Sequence, residues 1–293
     1  MNEFTIKDLE NLSGIKAHTI RIWEQRYSFI KPQRSSTNIR YYSSSELKTI
    51  LNVSLLNKYG FKISHIDKMS TDAMKETIHS LAQPEANQER IINDLLHYMI
   101  DLDIDSFEEM LDDYIYANGI DKSISFLVFP FLQRVGILWI TDHIKVAQEH
   151  LITNVIRQKL IMGIQNASPL QKASTSVVLF LPQGEYHELG LLYVHYLLKI
   201  RGVKVLYLGA DVPLDDIVFV CDIRHPDYLY THLTCVPAKL NLEKYLAEMH
   251  ARLKSVPIVI SGKVVNSYYK TLPASVVFKN TLAEVLVQLV LSD

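Results

Sequence analysis

Cysteine is nearly missing from this sequence. Cys221 and Cys235 are the only two, and neither sits in a CxxC or CxxH pairing. A disulfide framework or a structural zinc site is therefore not expected, and both residues are read as small core side chains. Long apolar runs are missing too: no stretch reaches the roughly 18 to 20 residues needed to span a bilayer. The opening MNEFTIKDLE also lacks the basic-then-apolar layout of a signal peptide. The expectation is a cytoplasmic protein with no membrane partner. Catalytic patterns are absent as well. No Ser-His-Asp arrangement occurs, and GKVV at 262–265 has no glycine loop before it, so it is not a phosphate loop. His143, His150 and His187 have no compact metal-ligand spacing that would suit hydrolysis. No enzyme is expected.

What remains is an ordinary globular composition, 48% hydrophobic and 21% charged over 293 residues, a length that calls for two or three domains. Net charge is −2, but the average hides an asymmetry. Residues 1–70 carry eleven Lys/Arg against six Asp/Glu, whereas residues 85–166 carry six against thirteen. The first segment suits an anionic partner and its neighbour does not.

In the basic segment Ile6, Leu9, Leu12, Ile15, Ile20 and Trp23 recur at helical spacing and Ser13-Gly14 interrupts them. Two short helices joined by a tight turn follow. Lys16, His18, Thr19 and Arg21 lie on the second helix, where polar and basic side chains can meet a major groove or its phosphates. Pro32 stops that helix. A polar ribbon with Arg34, Arg40, Tyr41 and Tyr42 comes next, then a leucine-rich helix over residues 45–59. The order TIRIWEQRY, proline, R…R-Y-Y-S and YGFKISHI resembles the winged helix-turn-helix of the MerR family over nearly all of residues 3–70. The resemblance implies that Arg21, Trp23-Glu24, Arg26-Tyr27 and the Arg40-Tyr41 wing face DNA or fix the structure. The wing departs from many members in having Asn38-Ile39 where they carry glycine; asparagine tolerates left-handed backbone, so the turn is expected to survive.

Residues 71–88 turn polar around Pro84 and read as a linker or a frayed helix. From Glu89 onward, Ile91, Ile92, Leu95, Leu96, Met99, Ile104, Phe107 and Leu111 repeat at helical intervals among acids, as expected for a helical bundle. Further helices are expected at SISFLVFPFLQRVGILW and, after a cap at Thr141-Asp142, at HIKVAQEHLITNVIRQKLIMGI. Trp139, a nine-residue gap and Glu149-His150 together resemble the signature of the helical subdomain in light-sensing, cobalamin-dependent MerR-type repressors of the CarH type. The resemblance implies a bundle that caps the upper face of adenosylcobalamin. Trp139 would lie against the adenosyl group, Glu149 would hydrogen-bond it, and His150 would stand close enough to react or ligate after photolysis.

From Ser176 apolar runs alternate with helical patterns: SVVLFLP, VKVLYLG, DYLYTHLTCV, VPIVISG and ASVVF read as strands. An open parallel sheet with helices on both faces follows, and its ligands bind at the carboxyl ends of the strands. QGEYHELG is the loop after the first strand. It offers Gly184 for backbone freedom, His187 as a projecting ligand, Glu185 as acceptor for the ring nitrogen not on metal, and Gly190 for close approach of the next helix. Glu-x-His-x-x-Gly at this place resembles the lower-face cobalt ligand motif of cobalamin-binding domains. That likeness implies His187 on cobalt and the vitamin's nucleotide tail in the sheet's groove, beside Thr231 and Gly262. LYLGADVP is similar to the family's second strand and turn. Two places depart from the pattern: Thr231-His232-Leu233-Thr234 replaces a serine-containing strand end, and Ser261-Gly262-Lys263 replaces Gly-Gly.

The expected architecture is multidomain, α and α/β. A winged helix-turn-helix (1–70) and a linker (71–88) precede a four-helix-bundle-like cap (89–166) and a Rossmann-like, flavodoxin-like open parallel sheet (167–293). The expected function is a transcriptional regulator, a repressor, that binds a double-stranded DNA operator as a homodimer or homotetramer under the control of adenosylcobalamin, with light as the signal. Two alternatives stand beside it: a degenerate sensor answering another ligand or a protein partner, and a corrinoid-dependent enzyme or methyl carrier. The second of these is disfavoured because the chain has no substrate barrel.

Overall fold

A computed structural model of the chain describes residues 3–35, 38–140, 144–169, 173–253 and 256–290. They form two compact units, Met1–Val155 and Ile156–Asp293. The expected cap at Thr141-Asp142, like His143, lies outside the described residues.

The first unit is helical except for a small ribbon. Helix α1 (Ile6–Ser13) starts at Thr5, whose backbone N–H donates to Asp8 Oδ2 at 2.6 Å in a reciprocal capping box, and it stops at left-handed Gly14. Helix α2 (Ala17–Arg26) buries Ile20 and Trp23, and α1 buries Leu9 and Leu12. Strands β1 (Gln33–Arg34) and β2 (Arg40–Tyr41) pair antiparallel. Asn38 has φ 65°, the left-handed backbone its side chain type tolerates. Phe4 and Tyr42 exchange backbone hydrogen bonds at 2.9 and 2.8 Å and are both fully buried, which closes the ribbon onto the chain's start.

Helix α3 (Ser44–Lys58) opens on a second capping box, Ser43 with Glu46, and is followed by the short α4 (Ile63–Ile66). Residues 71–88 are helical for much of their length: α5 (Thr71–His79) is capped by Ser70, and α6 (Pro84–Asp101) begins on Pro84. Serine at the cap and proline in the first turn are helix starts, and they outweigh the polar composition there. Lys58 pairs with Glu89 at 2.7 Å, which ties α3 to α6. Helix α7 (Ile104–Lys122) is broken at Gly119 (φ 77°, ψ 162°), a π-helical stretch (Ser123–Val128) follows, and α8 (Phe129–Ile140) continues from it. Helix α9 (Val146–Asn166) comes next.

The second unit is the α/β part. Its elements are β3 (Ser176–Pro182), α10 (Leu189–Ile200), β4 (Lys204–Val212), α11 (Leu214–Arg224), β5 (Tyr228–His232), α12 (Leu242–Leu253), β6 (Ile258–Ser261), a 3-10 turn (Lys263–Ser267), β7 (Val276–Phe278) and α13 (Leu282–Val290). All strand pairs are parallel, in the order β4-β3-β5-β6-β7. That is the flavodoxin-like order, in which the chain reverses its winding beside β3. Val178, Phe180, Leu229, Ile258 and Ile260 face Ile217 of α11 and Leu246 and Met249 of α12. Val177, Leu179, Leu181, Tyr230 and Val259 face Leu191, Val194 and Leu198 of α10 and Val285 and Leu289 of α13. A strand covered on both faces is apolar at every position, which is why SVVLFLP reads as a run and not as an alternation.

Candidate functional sites

On the candidate DNA-binding face, Lys16 at the N-cap of α2 and His18 and Arg21 within it are exposed, and Thr19 is half-buried. Lys16 pairs loosely with Glu10 at 3.4 Å. On the ribbon Arg34 is exposed and donates to Asn38 Oδ1 at 2.7 Å, whereas Arg40 and Tyr41 are half-buried. Arg40 is held from within the protein: its Nε donates to Glu24 Oε2 at 3.0 Å, and the Tyr42 hydroxyl donates to the other oxygen of the same carboxylate. Glu24 therefore pins the ribbon to α2. Burial, and then the Glu24 hydrogen bond, push the Tyr42 hydroxyl well above the ordinary phenol range. Removing the carboxylate leaves two donors without their acceptor. Glu24→Ala is expected to cost about 1–3 kcal/mol and to weaken DNA binding through the ribbon. Thermal melting and a DNA titration check this; unchanged values in both would make the pin dispensable.

In the bundle, Trp139 is 47% exposed at the end of α8. Glu149 (half-buried) and His150 (exposed) stand in the first turn of α9, with His150 Nε2 3.6 Å from Glu149 Oε2. Gln148 between them and the helix start was not legible as important. It is buried, accepts from Lys145 N at 2.8 Å and donates to the Ile100 carbonyl of α6 at 2.9 Å. A side chain doing both caps α9 and fixes where its first turn lies.

In the second unit, the loop after β3 folds around a buried carboxylate. Glu185 is fully buried. Its Oε1 accepts from the His187 backbone N–H at 2.8 Å and meets His187 Nδ1 at 2.6 Å; its Oε2 accepts from Cys235 N at 3.1 Å and Cys235 Sγ at 3.2 Å. Burial alone would raise this carboxyl, but the hydrogen bonds from His187 and Cys235 outweigh it and hold it at about 2. The imidazole itself is 60% exposed. Asp211 braces the loop from β4, accepting from Gly184 N at 2.8 Å. Cys221 is a buried core residue as expected, but Cys235 is exposed, because it sits in the loop beyond β5 that reaches back to Glu185. Burial, then Glu185, push its thiol up to about 11.

The two departures in sequence prove to be one structure. His232 Nδ1 lies 3.0 Å from Ser261 Oγ, which is 2.7 Å from the Tyr230 hydroxyl. The His232 ring covers Gly190 so closely that a Cβ there would stand 2.5 Å from its Cδ2. Burial lowers the His232 pKa, so the ring is a neutral partner in this set. On the other face of β5, Thr231 is 1% exposed and its Oγ1 has no hydrogen-bond partner among the described residues. Glu188, passed over in the sequence, accepts from Tyr207 OH at 2.9 Å and from Arg157 Nε.

The order of domains is a helix-turn-helix with a ribbon, then a helical domain, then a flavodoxin-like parallel sheet, and known proteins share parts of it. Residues 4–72 match the family model for the MerR HTH family regulatory protein, and residues 91–162 match the B12 binding domain. The first segment is a MerR-type helix-turn-helix and the second a B12-binding domain. Over its length the chain is similar to two repressors of Myxococcus xanthus. It is 28% identical to the HTH-type transcriptional repressor CarA over 270 residues, 91% of this chain and 89% of that one. It is 26% identical to the HTH-type transcriptional repressor CarH over 272 residues, 90% of each. In fold it is similar to the Methanosarcina barkeri monomethylamine corrinoid protein, with a TM-score of 0.54 at 16% identity, covering 67% of this chain and 95% of that one. Among the described residues no helix is long and apolar enough to cross a membrane.

Proposed function

We propose that this chain is a DNA-binding transcriptional regulator, a repressor by its relatives, whose operator affinity and assembly state are set by adenosylcobalamin and light. The MerR-type head and the kinship with two repressors support the regulator. One observation carries the cofactor: an exposed histidine, oriented through Nδ1 by a buried carboxylate, at the carboxyl end of the first strand of a flavodoxin-like sheet. A carboxylate in that position fixes the tautomer and raises the basicity of Nε2, the nitrogen that would take cobalt. The buried, unpartnered Thr231 hydroxyl fits a nucleotide tail, which would supply its missing partner.

On this reading His187 ligates cobalt, Glu185 holds His187, and Gly190, Thr231 and Gly262 lie along the tail. Trp139, Glu149 and His150 are assigned to the adenosyl group. When bound, adenosylcobalamin supplies a cobalt–carbon bond that light breaks. Trp139, Glu149 and His150 would hold the adenosyl group while that bond is intact, and its loss would bias a bistable interface between protomers in a dimer or tetramer the other way. Lys16, His18, Thr19, Arg21, Arg34, Arg40 and Tyr41 are assigned to DNA.

A second reading, a sensor for another ligand or a protein partner, is favoured by the His232–Ser261–Tyr230 set, which uses two positions where the family pattern has smaller residues. One experiment separates the two. Protein given adenosylcobalamin in the dark and then desalted is expected to keep the vitamin and to change its visible spectrum under green light. Passage of the vitamin straight through the column would sink the cofactor reading.

A further inference from the structure

We propose that Glu185, His187 and Cys235 form a second metal site, for a thiophilic divalent cation of the zinc type, which opposes corrinoid ligation at the same histidine. One ligand atom from each residue lies within 4.8 Å of the other two. Sγ is 3.7 Å from His187 Nδ1; of the two carboxylate oxygens, Oε2 is 3.2 Å from Sγ and Oε1 is 2.6 Å from Nδ1. Ligands at zinc distances and tetrahedral angles stand about 3.4 to 3.6 Å apart. The two sulfur distances are within about 0.4 Å of that. The imidazole-to-carboxylate distance must open by about 0.8 Å, and the exposed ring is the part able to move.

The donor set selects the metal. Thiolate, imidazole and carboxylate together suit zinc, and the sulfur and nitrogen disfavour magnesium and calcium. Three protein ligands leave a fourth position for water. Both outer ligands, His187 and Cys235, are exposed, so the ion has a way in. Binding replaces the thiol proton, which is released to solvent; the ring proton moves from Nδ1 to Nε2 by exchange with solvent, and the carboxylate gives up its hydrogen bond from Nδ1 to bind metal. Cys235 lies in no short metal-binding spacing with the other two, since α10, β4, α11 and β5 separate it from Glu185 and His187.

The site stands on this geometry alone; its antagonism to the corrinoid rests on the reading above. A cation on Nδ1 removes the carboxylate that made Nε2 basic and draws electron density from the ring. The test uses untagged, full-length protein prepared without corrinoid and stripped of metal. Titration with zinc against a chromogenic chelator is expected to give one tight equivalent, and cobalt(II) as a probe is expected to give a thiolate charge-transfer band. Cys235→Ala, at an exposed position, is expected to abolish the band and to weaken zinc at least tenfold while circular dichroism is unchanged. A Cys235→Ala protein that binds zinc like the parent, or a cobalt(II) spectrum without the band, overturns the site.

For the antagonism, bound zinc is expected to slow adenosylcobalamin uptake in the parent and not in Cys235→Ala. Uptake indifferent to zinc in both overturns it. Absence of corrinoid uptake with and without zinc refutes the cofactor reading and with it the antagonism, while the chelator titration still decides the site.

Discussion

His187→Ala is expected to lower adenosylcobalamin retention by more than about 100-fold, the upper end of what loss of a mere supporting group costs a metal site. The substitution removes the cobalt ligand without disturbing the sheet, because the ring is 60% exposed and its backbone N–H still donates to Glu185. Glu185→Gln is expected to cost less, about 10- to 100-fold, since the ligand stays and only its orientation and basicity suffer. The order of the two effects is the diagnostic part. Equilibrium dialysis in the dark measures both, and the spectrum of the retained vitamin reports its lower ligand. If His187→Ala binds as tightly as the parent, with an unchanged spectrum, the histidine is not on cobalt.

The largest effect on folding is expected at Gly262. Its backbone has φ 104° and ψ −178°, a region open to glycine and closed to other residues. A Cβ there would stand 2.3 Å from the Leu233 carbonyl oxygen, an atom fixed by its hydrogen bond from Val264 N at 3.2 Å. Neither neighbour is the end of a flexible side chain, so the overlap is relieved only by moving the ends of β5 and β6 apart. Strain of about 1–3 kcal/mol adds to that displacement. Gly262→Ala is therefore expected to destabilise the second unit by at least about 3 kcal/mol, visible as easier urea unfolding and faster proteolysis within residues 176–290. A loss under about 1 kcal/mol would mean that the turn relaxes freely. In the sequence this glycine suggests a nucleotide tail passing nearby; the chain's own Leu233 carbonyl already requires it.

What was legible follows from how local the cause is. The five strands declared themselves because both faces of the sheet are covered, and the helices of the head because their caps and apolar spacing lie within a few residues. The Glu185–His187 pair was also legible, being two residues apart. Cys235 was not: it lies 50 residues from Glu185, and nothing in its neighbourhood marks a cysteine that reaches back to a buried carboxylate. The same holds for His232 and Ser261, which looked like two separate losses and are one hydrogen-bonded set 29 residues apart. Helices α11 and α12 were implied by the alternation but not singled out, and Asp215-Asp216 and His250 with Arg252 dilute their apolar pattern. In the stretch 71–88, polar composition left a linker and a frayed helix both open, and Ser70 and Pro84 set helix starts.

The π-helical stretch at Ser123–Val128 has a consequence for Trp139. An α-helix advances about 100° per residue, and a wider turn spends more residues on the same circuit. Counting by three and four from Leu111 therefore misjudges which way Trp139 points, and the break at Gly119 compounds the error. The segment works like a vernier: two pitches laid end to end set the final angle of α8. Losing a single residue between Ser123 and Val128 would return the stretch to one pitch and leave the indole on nearly the same azimuth, because six residues of the wider turn cover roughly the angle of five α-helical ones. The azimuth of Trp139 is thus written about a dozen residues upstream of it.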